Sequence, residues 1–161
     1  MSEYVQNAET NNKILTHEQE YIVIVGNIVG RQGPPLYIDA SEYPIIITGS
    51  IQASKMIIKG KHRVLICGGI NTMLDIEIEP DIEISQSLQT AYGNIVCLGN
   101  LKVGKTISCH SILSDADIVA ANLYIKTNIR ANNIYVIDKC KISGNTDAKL
   151  HLMLNAKTGG S

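Results

Sequence analysis

The chain has 161 residues, of which 45% are hydrophobic and 18% charged, with a net charge of −1. That balance fits one folded domain and excludes a disordered chain. It also excludes a strongly basic nucleic-acid binder and a highly acidic phosphate mimic.

In chain order, residues 1–20 are polar, with Ile14 and Leu15 as the only adjacent large apolar pair, and are expected to form a flexible tail or a short, weak helix. The first strand signal is Tyr21 to Val25, inside YIVIVGNIVG. Pro34 and Pro35 follow and exclude helix there. From Tyr37 to Asn145 the chain is a series of short apolar pieces separated by Gly, Asn, Ser or Lys, with no sustained helical stripe. The last piece alternates Leu150, Leu152 and Leu154.

The apolar set is unusual in kind. Isoleucine occurs 26 times, and Phe and Trp are absent. β-Branched side chains favour extended backbone, because their stiff χ1 packs well on a pleated surface. A core without large aromatics fits a thin interior filled in layers. The 13 glycines and 13 asparagines suit tight turns with positive φ. Pairs such as Gly26-Asn27, Gly49-Ser50, Gly93-Asn94 and Gly99-Asn100 each precede an apolar residue, as corners would.

Internal repetition decides the fold class. Val96, Leu101, Ile107, Ile112, Ile118, Leu123, Ile129, Ile134 and Cys140 are all apolar and recur at alternating steps of 5 and 6. Ile58, Val64, Ile70, Ile76, Ile82 and Leu88 recur at a strict step of 6. A parallel β-helix with three short faces produces such steps. Each face turns one or two side chains inward, and stacked coils pair every backbone N–H and C=O. The expected fold is therefore all-β: a single-stranded parallel β-helix with rungs of about 16–18 residues. Residues 21–146 form the solenoid, and residues 147–161 form a C-terminal capping strand and flexible tail.

No chemistry-bearing motif stands out. The sequence has no phosphate loop, no G-x-S-x-G and no H-E-x-x-H. The histidines are His17, His62, His110 and His151. Only His110 suits an acyltransferase base, and no acidic orienter adjoins it. Cys97, Cys109 and Cys140 have no close ligand spacing, so they read as buried thiols rather than a metal site. Neither C-x-x-C pairs nor a charged-then-apolar leader occurs, which points to a reduced, cytoplasmic setting. No apolar run approaches the ~20 residues of a membrane helix. Asp75, Glu77, Glu79, Asp81 and Glu83 alternate with isoleucines as an outward carboxylate stripe, and Pro80 marks a corner in it. Lys59, Lys61, His62 and Arg63 read as a solvated basic turn.

The stretches ITGSIQASKMIIKG (47–60), GNIVCLGNLKVGKTISC and NIRANNIYVIDKCKISGN resemble the repeat of the bactofilins, over roughly residues 45 to 145. That resemblance implies a right-handed β-helix that polymerises end to end without nucleotide, as a cytoskeletal element. The run from Ala116 to Val136 also looks like degenerate pentapeptide repeats. Ile58 to Leu88 resembles hexapeptide-repeat acyltransferases. The expected function is a non-enzymatic scaffold with no cofactor and no metal, whose partner is itself or possibly another protein. A rigid interaction module and a hexapeptide acyltransferase are the alternatives. The expected assembly residues lie on the end strands: Tyr21, Val23 and Val25 at one end, Leu150, Leu152 and Leu154 at the other. Unpaired strand edges at such ends associate unless they are capped.

Overall fold

The computed structural model describes residues 3–4, 11–15 and 20–152. Among those residues it contains no helix; it is 63% strand and forms a parallel β-solenoid. No helix among the described residues is long and apolar enough to cross a membrane.

Each turn crosses three flat faces. Face A begins with Glu20–Ile24, Ile45–Ile47, Val64–Ile66 and Ile82–Ile84. Face B begins with Ile28–Val29, Ile51–Ala53, Ile70–Thr72 and Leu88–Thr90. Face C carries Leu36–Ala40, Met56–Gly60, Ile76–Ile78, Asn94–Cys97 and Ser111–Ser114. Further on, Leu101–Cys109, Ile118–Ile125, Ile129–Ile142 and Thr146–Leu152 run through their corners and serve more than one face. The solenoid makes about six turns in all.

The short strands follow from the alternation of the sequence. In Ile76–Ile78 and Ile82–Ile84 the isoleucines point inward and the glutamates point out. Pro80 lies in the corner between them, as the sequence suggests. Register then stacks like on like: Ile45 on Val64, Val64 on Ile82, Ile82 on Leu101, Leu101 on Ile118 and Ile118 on Ile134. All of these side chains are 3% exposed or less. A fully buried aliphatic side chain contributes roughly 1.5–3 kcal/mol, so the stabilising force runs as columns along the axis. Inward hydroxyls are satisfied locally: Thr72 and Thr90 both donate to the Leu74 carbonyl at 2.7 Å.

Turn length falls along the chain, as the register shows. In the early layers Ile45 pairs with Val64 and Met56 with Ile76. Later, Ile112 pairs with Ile129 and Ile118 with Ile134, and each of these steps is shorter than either early one. Register shifts between Val103 and Thr106, and again between Ala120 and Asn122, mark corners where the residue count changes.

Two local expectations need correction. The apolar ladder places Val96 inward, but Ile95 and Cys97 are the fully buried pair, and Val96 faces outward against Glu77 and Leu113. Three consecutive apolar residues leave the phase of a period-two pattern open. The corner glycines are expected to supply positive φ, yet Gly26 alone does so among those four Gly-Asn and Gly-Ser corners. Gly49 is required by proximity: a Cβ there would collide with the Gly26 carbonyl of the previous turn.

Candidate functional site

The C-terminal end is open among the described residues. Thr146–Leu152 pairs on one side only, with Ile129–Ile142: Ile134 opposes Leu150, and Val136 opposes Leu152. Leu150 and Leu152 thus continue two inward columns whose previous members are fully buried, yet they are 40% and 44% exposed. No described layer covers them. Cys140 and Ile142 end the face B columns beside them and are half-buried. The expected residues Leu150 and Leu152 therefore share one apolar end surface, while Leu154 lies outside the described residues.

The N-terminal end differs. Tyr21 and Val23 lie on Glu20–Ile24, which pairs in parallel with Ile45–Ile47 on one edge. Its other edge is occupied by Asn11–Leu15, antiparallel, with Asn12 opposite Val23 and Ile14 opposite Tyr21. Glu3–Tyr4 pairs in parallel with Leu36–Ala40 on face C. The segment expected to be a polar tail thus contributes two short strands. Ile28–Val29 on face B has a described partner on one side only. Val25 sits beyond the strand, 57% exposed. The hint missed in the sequence was the Ile14-Leu15 pair a short loop ahead of an apolar run, a hairpin spacing.

Between the ends, corner side chains bind one turn to the next. Asp81 Oδ1 accepts the Asn100 N–H at 2.8 Å, Asn100 Oδ1 accepts the Asp117 N–H at 3.1 Å, and Asp117 Oδ1 accepts the Asn133 N–H at 3.0 Å. Asn133 Oδ1 meets the His151 ring at 3.2 Å, and that ring stacks on Tyr135 with centroids 4.6 Å apart. A second column runs from Asp75 to Asn94 and on to Ser111. Much of the acidic stripe is thus structural. Glu79 caps the Gly60 N–H at 2.9 Å and pairs with Lys59 at 3.4 Å, on its own chain. The Gly60 bond, helped by Lys59, holds the Glu79 carboxyl below its ordinary value against a smaller effect of desolvation.

The thiols divide by depth. Cys97 and Cys109 are buried, and desolvation pushes each up to about 12. Cys140, expected to be buried, is only half-buried, because no described layer lies over it; desolvation still raises it. Cys67 is exposed. His110 lies exposed in a corner, and its backbone carbonyl accepts the Thr127 hydroxyl at 3.0 Å. His17 lies outside the described residues.

Fold and ends together define a parallel β-solenoid whose first layer is covered on two faces and whose last described layer is bare. No family model, no curated protein and no solved structure matches the chain.

Proposed function

We propose that this protein is a non-enzymatic structural element that associates with copies of itself through the C-terminal end of the solenoid. The observation that carries the reading is the edge of Thr146–Leu152 that no described strand pairs, with Leu150 and Leu152 exposed at the top of otherwise buried columns. A second copy offers that edge backbone partners and covers the leucines at once. The residues that work are then Leu150 and Leu152, with no pocket and no cofactor.

The bactofilin-like filament is the extended form of this reading. It requires the N-terminal end to join as well. There, Asn11–Leu15 already occupies the edge that holds Val23. Joining through bare ends alone closes a two-fold pair, since each copy uses the same surface. Filaments require that hairpin to leave.

The test is light scattering after size exclusion, with negative-stain electron microscopy, at micromolar protein and without nucleotide. The expected result is a pair or longer assembly that L152P or L150K reduces to a folded monomer, while Lys at Val23 leaves the pair intact. A parent protein that stays monomeric across this range overturns the proposal, as does assembly that both C-terminal variants leave unchanged.

A further inference from the structure

Face B carries an unusual outward column. Val29, Gln52, Asn71 and Gln89 lie in register on four successive layers, spaced about 4.8 Å apart. All four are exposed. Grooves of about 450 and 480 Å³ flank the column. Ser50, Gly69 and Gln86 help line the first, and Ala53, Thr72 and Met73 the second. Small residues beside the column leave this room.

The amides of this column differ from those in the corners. Asn27 accepts the Ser50 N–H at 2.8 Å, Asn128 the Asn145 N–H at 2.8 Å, and Asn122 the Lys139 N–H at 3.2 Å. Those groups are committed to holding turns together. The side chains of Gln52, Asn71, Gln86 and Gln89 make no hydrogen bond to any other described residue. Each exposes two N–H donors and a carbonyl acceptor.

The surroundings select the ligand. Lys105 is the one charged side chain lining either groove among the described residues, so neither a phosphate backbone nor a polyanion is matched there. The backbone under the column is committed to the ladder between layers, so an extended peptide cannot add as a strand. Free amides with almost no charge beside them match an uncharged chain rich in hydroxyls. Val29 and Met73, 67% and 54% exposed, provide apolar ledges for the C–H faces of sugar rings. Tyr92, 74% exposed, sits one turn from Met73, whose carbonyl accepts its N–H at 2.9 Å.

We infer that face B binds an uncharged oligosaccharide lying along the solenoid axis, held by the amides of Gln52, Asn71 and Gln89. The site is independent of the ends. The full chain, labelled with ¹⁵N, is titrated with cellohexaose, maltohexaose and chitohexaose, and side-chain amide resonances are followed. The expected result is saturable shifts at Gln52, Asn71 and Gln89 with at least one of the three sugars. The Q52A/N71A/Q89A variant then binds at least about tenfold more weakly, as loss of three modest hydrogen bonds requires. Its circular dichroism stays that of the parent, because all three positions are exposed. Absence of shifts with every sugar at millimolar concentration overturns the inference. Equal affinity in parent and variant also does so. A changed oligomeric state in the variant overturns it too, because face B is then a contact between copies.

Discussion

Glu79 and Gly60 meet across successive turns: the carboxylate accepts the glycine N–H at 2.9 Å and draws in Lys59 at 3.4 Å. Because the folded state lowers this carboxyl from its ordinary value of 4.5, its contribution is fully present above that value. It is lost as pH falls through the lower, folded one. The group is well exposed, so the effect is small: E79Q should lower Tm at pH 7 by no more than about 2 °C. The parent-minus-variant difference should vanish at acid pH. Thermal melts of both proteins between pH 7 and pH 3 check this, and a difference that grows on acidification contradicts it.

Gly60 itself cannot be replaced cheaply. Its φ is 119°, and an added Cβ would strike the backbone of Ala40 one turn earlier. G60A should destabilise by about 2–4 kcal/mol, since strain and collision add. A urea titration measures it, and a change below about 1 kcal/mol would mean that the corner rearranges freely.

Thiol chemistry should follow depth. With Cys97 and Cys109 pushed up to about 12, their thiolates are almost absent at pH 8. Cys67 should react first with a disulfide reagent such as DTNB, Cys140 more slowly, and the buried pair only on unfolding. Stopped-flow absorbance with mass-spectrometric mapping identifies the order. Rapid labelling of Cys97 in the native protein would contradict the packing described.

The core columns make a graded prediction. Ile134 and Leu150 occupy the same column one turn apart, at 0% and 40% exposure. I134A should cost about 2–5 kcal/mol, as a buried truncation does. L150A in the monomer should cost distinctly less. Comparable costs, read from denaturant midpoints, would indicate that Leu150 is covered in solution.

Much of the architecture can be read before any coordinates. The strict six-residue ladder from Ile58 to Leu88 and the mixed ladder from Leu101 to Ile134 mark side chains that are all buried. Hydrophobic burial imprints its period directly on sequence. What resists such reading is interaction between turns. Asn100 and Asn133 look like turn residues by composition, and only register reveals that each meets its neighbour one layer away. The N-terminal cover escaped for a related reason: Asn11–Leu15 is too short to show a period, and its pairing is a matter of geometry. At the other end, the alternation of Leu150 and Leu152 marks an inward-facing strand, and the sequence is silent on what covers it.

The shortening of the turns has a consequence for the order of the layers. A longer early turn and a shorter late one place their corner residues differently. The layers are therefore not interchangeable, as they would be in a strict repeat, and the molecule has a direction along its axis.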